Sequence, residues 1–186
     1  MLKMRDLHEV PVLFELMSHP EVFPYIRHKA YTTDELYFIT KKTIEAEEMG
    51  ELISRTILDE YHQPIGTINL FDIHENYGRL ATWIRKPYFG KGYNKQAKEA
   101  FFDEVFSMNE MEGIFMKIRK TNLRSFKAAT KLPYVAIANE RYPKVYQKIN
   151  RDEELYDLFV ITKEKYSAYK QFVTTVDSAA SGEEVS

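Results

Sequence analysis

Apolar positions recur along the chain at helical spacing in some segments and at strand spacing in others. Between Leu7 and Met17 they recur every three or four residues, which predicts a helix with one apolar face. Thr32 followed by Glu35 has the pattern of a capping box and predicts the start of a second helix. A third helix follows a glycine-containing loop, and a short fourth helix begins at Asn122, which suits the N-cap position. The pattern therefore predicts about four helices.

Segments rich in branched residues and bounded by turn residues predict strands. Short turns between the second, third and fourth of these segments predict an antiparallel meander. The last two segments are joined by a polar connection that contains Pro143. The predicted strands comprise residues 2–4, 52–58, 65–73, 79–85, 113–119, 134–138 and 155–161.

The composition limits the classes of function. The chain has 186 residues and a formal charge of −2, from 26 basic and 28 acidic side chains, so we expect no bulk affinity for nucleic acid. It has no cysteine, which excludes disulfides and thiolate metal sites. No segment approaches the ~20 apolar residues of a membrane span, and the first residues are charged too early for a signal peptide. We therefore expect no membrane partner, and the cytoplasm is the default location.

The end of the chain differs in composition from the rest. From about Thr174 onwards it consists mainly of Ser, Ala, Gly and Glu, with almost no large apolar side chain. Such a segment buries too little surface to offset the entropy of ordering it. We therefore predict one domain over residues 1–170 and a disordered tail over residues 171–186.

A glycine loop lies between the fourth predicted strand and the third predicted helix. Small residues allow the backbone to approach an anion, and the N–H groups at the start of a helix stabilise negative charge. Gly90 and Gly92 offer this possibility, although two glycines alone more often make only a tight turn. The loop lacks the Gly-Lys-Ser/Thr ending of a P-loop, and no dinucleotide fingerprint of three glycines is present. The common nucleotide-binding folds are therefore disfavoured.

Several short motifs occur together in a fixed order. They are Ala81-Thr82-Trp83-Ile84, Pro87-Tyr88-Phe89-Gly90-Lys91-Gly92-Tyr93-Asn94, Asn122-Leu123-Arg124-Ser125 and Leu132-Pro133-Tyr134. Their order and flanking elements resemble the GCN5-related N-acetyltransferase (GNAT) superfamily, in the branch of the ribosomal-protein N-terminal alanine and serine acetyltransferases. The resemblance covers about residues 2–166.

This resemblance implies both a fold and a reaction. The fold is α+β, with a central mixed, mostly antiparallel sheet of six to seven strands, about four flanking helices and two splayed central strands. The reaction is transfer of an acetyl group from acetyl-CoA, as co-substrate and without a metal, to a primary amine. The amine of a small molecule or a protein N-terminus attacks directly in a ternary complex. A homodimer is left open.

The resemblance also implies residues that bind the coenzyme. The loop would hold the pyrophosphate, and the strand before it would hydrogen-bond the pantetheine arm. Ser125 would in addition donate a proton to the departing thiolate or stabilise that thiolate. The expected coenzyme-binding residues are Trp83, Ile84, Arg85, Phe89, Gly90, Lys91, Gly92, Tyr93, Asn94, Asn122, Ser125 and Lys127.

Three carboxylate or imidazole groups around one predicted turn are candidates for the general base. These are Asp72, His74 and Glu75, which precede the Trp83 strand and could reach an acceptor amine, directly or through water. Asn122 has a second interpretation, because an N-cap requires only such a side chain.

The chain departs from the family pattern at three positions. Asn94 stands where a small residue is usual, Pro133 replaces a glycine, and Arg79 stands where a carboxylate is common. Such changes would permit a non-catalytic acyl-CoA-binding or regulatory module that keeps the fold. A third alternative is an interaction domain whose basic stretch, residues 117–127, docks an acidic partner.

Overall fold

The computed structural model describes residues 1–108 and 110–182, with backbone only for residues 25, 181 and 182. The chain forms two compact units, Met1–Asn109 and Glu110–Ser186. Within the described residues it contains seven strands and six α-helices, which confirms the predicted α+β class with six to seven strands. In the same part of the chain, no helix is long and apolar enough to cross a membrane.

The first unit is an antiparallel sheet covered by helices. Its strands pair in the order β1-β2-β3-β4, as the predicted meander requires. The side chain of Thr32 accepts a hydrogen bond from the Glu35 N–H and caps α2, which confirms the predicted start of that helix. The elements are β1 Leu2–Met4, α1 Val10–Met17, α2 Thr33–Glu48, β2 Ile53–Leu58, β3 Pro64–His74, β4 Tyr77–Ile84 and α3 Tyr93–Ser107.

The hairpin between β3 and β4 ends in a tight turn with an irregularity below it. His74 pairs with Tyr77 across a two-residue loop, whose residues Glu75 and Asn76 have φ of 48° and 65°. Two successive positive φ angles are typical of a type I′ turn, whose twist matches that of the strands. The register shifts between Phe71 and His74, and Asp72 there has a φ of 51°. This irregularity re-aims the Asp72 side chain relative to a regular strand.

The second unit is a three-stranded antiparallel sheet with three helices. β7 is its middle strand and pairs with β5 on one side and β6 on the other. The elements are β5 Gly113–Arg119, α4 Leu123–Thr130, β6 Val135–Ile137, α5 Pro143–Asn150, β7 Tyr156–Thr162 and α6 Lys163–Gly182.

Two helices exceed the predicted number of about four. Residues 143–150 form α5, where the sequence predicted a polar connection. Its last residue, Asn150, is buried, and its side chain donates to the Tyr156 carbonyl at 3.1 Å and accepts from the Tyr156 N–H at 2.8 Å. The other helix, α6, continues through Gly182, so regular structure extends past the predicted boundary at residue 170. Residues 183–186 of the predicted tail lie outside the described residues.

A buried carboxylate ties the start of α1 to the sheet of the first unit. The Glu9 side chain is only 3% exposed. Its Oε1 accepts hydrogen bonds from the Arg5 Nε at 3.0 Å, from the Asp6 N–H at 3.2 Å and from the Thr56 hydroxyl. Its Oε2 has the Lys3 Nζ at 3.3 Å as its ion-pair partner. Because a buried charge is stable only when it is paired and hydrogen-bonded, these contacts fix the first helix in place.

We predict that Glu9→Gln destabilises the protein by about 3 kcal/mol, because it leaves the buried guanidinium of Arg5 without its counter-charge. Urea unfolding at neutral pH measures this change. The control is Glu75→Gln, whose parent side chain is 84% exposed; it should alter the free energy of unfolding by less than about 0.5 kcal/mol. Equal effects of the two substitutions would contradict the prediction.

Candidate functional site

A cavity of about 90 Å³ opens in the first unit between α1, α2 and the strands β3 and β4. One wall is apolar and belongs to the cluster of buried residues on α1, α2 and the segment between them. The opposite wall comes from β3 and β4 and carries three polar side chains among apolar ones. The lining residues are Arg5, Leu13, Met17, Ile26, Arg27, His28, Leu36, Ile39, Thr40, Thr43, Thr67, Asn69, Phe71, Ala81, Thr82 and Trp83.

The β3 wall is built by every second residue of the strand. Thr67, Asn69 and Phe71 line the cavity because alternate side chains of a strand point to the same face. The Asn69 amide donates to the Thr67 hydroxyl at 3.2 Å and to the Ala81 carbonyl at 3.4 Å. Its Oδ1 accepts a hydrogen bond of 2.5 Å from the buried Ser54 hydroxyl. These bonds hold the polar wall in one conformation.

Two arginines share one carboxylate at the β3–β4 end of the cavity. The Arg79 Nη2 lies 2.6 Å from Asp72, and the Arg27 Nη2 lies 3.3 Å and 3.4 Å from the two Asp72 oxygens. The Arg27 guanidinium also stacks over the Phe71 ring at 4.4 Å. Beside it, burial and then the positive charge of Arg27 lower the pKa of His28 below its ordinary value, while Asp72 opposes the shift. These surroundings therefore favour the neutral form of His28.

In β4, the strand that is predicted to bind pantetheine, the backbone groups of Ile84 point in the opposite direction from those of its two neighbours. The Arg85 N–H donates to the Ile65 carbonyl at 2.8 Å, and the register pairs Thr67 with Trp83. Because bonded and non-bonded pairs alternate along an antiparallel ladder, the backbone groups of Trp83 and Arg85 face β3. The N–H and C=O of Ile84 therefore point away from β3. Of the three predicted residues, Ile84 has the backbone groups best placed for a ligand.

The predicted phosphate loop has the geometry that glycine permits. Gly90 and Gly92 have φ of 74° and 87°, in the left-handed region that L side chains rarely adopt. Gly92 is the N-cap of α3, and within the described residues no side chain caps that helix end. The first N–H groups of α3 are therefore open to an anion. Phe89, Lys91 and Asn94 are exposed around the loop, and Tyr93 is half-buried.

An aromatic and acidic anchor holds the base of this loop. The rings of Tyr88 and Tyr93, on either side of it, are 5.2 Å apart in an edge-to-face contact. The Tyr88 hydroxyl donates to the buried Asp59 carboxylate at 3.0 Å. Burial by itself would raise the pKa of Asp59, but hydrogen bonds from the Gln63 N–H, the Tyr88 hydroxyl and the Tyr61 N–H outweigh it and lower that pKa. Burial and the Asp59 bond raise the pKa of Tyr88.

The remaining predicted coenzyme ligands belong to the second unit. Asn122 is the N-cap of α4, and its side chain accepts a hydrogen bond of 3.1 Å from the Ser125 N–H. The capping interpretation of Asn122 is thereby confirmed. Ser125 is half-buried and Lys127 is exposed on the same helix. Their coenzyme contacts stay a prediction.

The structure places the three candidate bases outside the cavity lining. Both Asp72 oxygens are engaged by arginines, as described above. Glu75 lies in the hairpin turn with its side chain 84% exposed, and His74 is 85% exposed next to it. Their role as general base stays a prediction. Among the described residues, no group of His, Asp and Glu is arranged to hold a metal ion.

Most of the cavity could not be predicted from the sequence. Arg5, Arg27 and His28 lie outside every motif, and only the fold brings them to β3. One signal was present, because Thr67 and Asn69 are polar residues that alternate with the apolar residues Ile68 and Leu70 in the middle of the strand. Buried polar residues at alternate strand positions indicate a hydrogen-bonded wall or site rather than a simple core.

Comparison of the sequence with models of known protein families identifies the family of this chain. A family model described as acetyltransferase (GNAT) domain matches residues 2–135 of the chain. The chain belongs to the GNAT acetyltransferase family. As a GNAT domain it is an acetyl-CoA-dependent N-acetyltransferase, which confirms the predicted enzyme class and co-substrate. No protein in the curated set matches its sequence.

Solved structures with this fold share little sequence with this GNAT domain. The spermidine N-acetyltransferase of Vibrio cholerae, solved with CoA and spermine, is 13% identical at a TM-score of 0.72, covering 89% of this chain and 96% of that one. The ribosomal-protein-S5-alanine acetyltransferase of Vibrio fischeri is 14% identical at 0.68, covering 89% and 93%. FdhC, a nucleotide-linked sugar GNAT solved without ligand, is 18% identical at 0.73, covering 93% and 92%. These similarities confirm the GNAT fold.

The anchor under the glycine loop predicts how the stability of this GNAT domain depends on pH. A carboxyl group whose pKa is lowered by folding stabilises the protein above its unfolded pKa, and this contribution is lost as the pH falls through the folded pKa. We therefore expect Asp59→Asn to be less stable than wild type at pH ~7, with a difference that shrinks below pH ~4.

Urea unfolding between pH ~7 and pH ~2.5 measures this difference. The control is Glu60→Gln, which changes an exposed carboxylate in the same turn and should track wild type at every pH. A difference between Asp59→Asn and wild type that is constant across the pH range would rule out the role assigned to ionised Asp59.

Proposed function

We propose that the acceptor amine of this acetyltransferase enters the cavity of the first unit and attacks the acetyl group beside Trp83. The observation that carries this proposal is the position of Trp83, which lines the cavity and stands next to Ile84, whose N–H points away from β3. A cleft with an apolar wall and a few fixed polar groups is typical of a small-molecule site. The amine and the oxyanion donor would then lie at one end of the cavity.

The chemistry requires three groups in this scheme. The nitrogen lone pair of the neutral amine attacks the thioester carbon, and the negative charge that develops on the carbonyl oxygen is stabilised by the Ile84 N–H. The C–S bond then breaks and the thiolate leaves. Ser125 is the predicted donor of a proton to that thiolate, and the proton lost from the amine passes to solvent or to a base.

Coenzyme binding follows from the loop that precedes α3. The left-handed glycines and the uncapped helix end offer N–H groups to the pyrophosphate, and Lys91 adds positive charge nearby. Asn94, which departs from the family pattern, lies on the exposed side of the first turn, where a larger side chain is tolerated. Phe89, Tyr93, Asn122 and Lys127 complete the proposed set.

The structural neighbours leave the acceptor open. Their names refer to a polyamine, to the alanine of a ribosomal protein and to a nucleotide-linked sugar. All three are compatible with a primary amine as acceptor, which supports the proposed reaction class. The proposal includes a general base at Asp72, His74 or Glu75 and a cytoplasmic location, and it is compatible with a homodimer.

The first experiment is calorimetric titration of acetyl-CoA into wild type and into Gly92→Trp. We expect saturable binding by wild type and at least about tenfold weaker binding by the variant, because an indole would obstruct the phosphate loop and strain its backbone. Gly50→Trp is the matched control. Gly50 also has a positive φ, of 76°, and a Cβ added there would meet no atom within 4 Å, so the strain is similar but the site is remote from the loop.

The outcomes of this titration are distinct. Binding that survives in Gly50→Trp and is lost in Gly92→Trp supports the loop assignment. Loss in both variants indicates that backbone strain alone explains the effect. Absence of binding by wild type would overturn the proposed function, whereas binding without acetylation of any amine would point to the acyl-CoA-binding module.

For Ser125 we predict that Ser125→Ala lowers kcat by about 100-fold, because the thiolate would leave without a positioned proton donor. The affinity for acetyl-CoA should change little, as the titration above can measure. Ser167→Ala, at an exposed position of α6, serves as control. An unchanged kcat in Ser125→Ala would remove the residue from the mechanism.

A further inference from the structure

We propose that the acceptor amine carries a carboxylate or phosphate group at its far end, and that Arg27 binds this anion. The inference rests on the proposed function, since it assumes that the acceptor occupies the cavity beside Trp83. It adds a class of acceptor, namely an extended molecule with an amine at one end and an anion at the other.

The charge of the cavity favours an anionic acceptor. Among the described residues, the lining contains two arginines and no aspartate or glutamate. The positive charge of Arg5 is balanced within the protein by Glu9, to which its Nε donates at 3.0 Å. Arg27 has only a share in the carboxylate of Asp72, whose shorter bond goes to Arg79, so Arg27 is the charged group of the lining that a ligand can reach. A dication would have to enter this cavity without a carboxylate to receive its second charge, which is costly in a partly buried site.

Arg27 is held in place but is not fully engaged. Its side chain is 32% exposed, and its Nη2 contacts Asp72 at 3.3 Å and 3.4 Å, at the long end of the hydrogen-bond range. The short bond of Asp72, at 2.6 Å, goes to Arg79 instead. The Phe71 ring, 4.4 Å from the Arg27 Cζ, holds the guanidinium in place. The contacts with Asp72 use Nη2, which leaves Nη1 and Nε as donors to the oxygen atoms of a ligand.

The two ends of the site are separated along β3. Thr67 pairs with Trp83 at one end, and Phe71 pairs with Arg79 at the other. Four residues of a strand span about 13 Å, so an acceptor that lies along β3 would place its amine and its anion on the order of 10 Å apart. Between them it would pass the fixed amide of Asn69 on one side and the apolar wall of α1 and α2 on the other.

Three amines of equal length test the sign of the charge at the far end. The anionic ε-aminocaproate, the neutral aminohexanol and the cationic hexamethylenediamine share a six-carbon chain, and the eight-carbon homologues extend the series. Aminohexyl phosphate tests the phosphate arm against the carboxylate. We expect kcat/KM for the anionic amines to exceed that for the neutral ones by at least about tenfold, and that for the diamines by more. Release of the coenzyme thiol measures each rate.

Variants of Arg27 connect this preference to the residue. Arg27→Gln should lower kcat/KM for the anionic amines about tenfold more than it lowers kcat/KM for aminohexanol, while Arg27→Lys should restore part of that difference because it keeps the charge. Lys42→Gln, which removes a positive charge from an exposed position of α2, should have no effect on either. The acetyl-CoA affinity should be the same in all of these proteins.

The acetyl-CoA titration distinguishes failure of the anionic-acceptor proposal from failure of the proposed function. If acetyl-CoA binds but neutral amines or diamines react as fast as the anionic ones, or if Arg27→Gln changes all acceptors equally, the anionic-acceptor proposal is wrong and the proposed function stands. Acetyl-CoA binding with no reaction or binding of any anionic amine also overturns it. Failure of wild type to bind acetyl-CoA overturns the proposed function and this inference with it.

Discussion

The first unit depends on burying the carboxylate of Glu9. An ionised group in that position is tolerated only with a full set of partners, and the chain supplies them from the helix start and from β2. Arg5, its main partner, also lies 3.4 Å from the Ser54 hydroxyl and 3.5 Å from the Thr40 hydroxyl. A single charge therefore connects α1, α2 and the sheet.

The same network extends to the wall of the cavity. The Ser54 hydroxyl accepts a hydrogen bond from Arg5 and donates one to the Oδ1 of Asn69. The amide nitrogen of Asn69 in turn donates to the Thr67 hydroxyl. The side chains of Ser54, Asn69 and Thr67 are buried. Removing one of them would leave its neighbour without a hydrogen-bond partner and would cost the desolvation free energy of that neighbour. Through Arg5 and Ser54, the carboxylate of Glu9 therefore helps to determine the conformation of the cavity wall. In the proposed reaction, this rigidity would keep the acceptor aligned with the thioester.

Much of the fold could be predicted from the sequence, because its signals are local. Branched residues between turns predicted β2, β3 and β4, and Thr32 with Glu35 predicted the start of α2. The helix α5 was missed because Lys144, Gln147 and Lys148 give it a polar texture, while Asn150 stabilises it through bonds to Tyr156 that only the folded chain contains. The glycine loop could be predicted, since glycine is the residue that most readily adopts a positive φ. Arg27 and Phe71 could not be predicted to meet, because they lie 44 positions apart in the sequence and no periodicity relates them.

The alternation of side chains along β3 has a consequence for the evolution of this enzyme. Thr67, Asn69 and Phe71 face the cavity, whereas Ile68 and Leu70, between them, are fully buried on the opposite face. Under the proposed function, the residues of β3 that would contact the acceptor therefore alternate with residues that pack the core. A substitution at Phe71, which is half-buried, could therefore alter the cavity while Ile68 and Leu70 keep their packing. A substitution at Thr67 would in addition have to replace its buried hydrogen bond with Asn69.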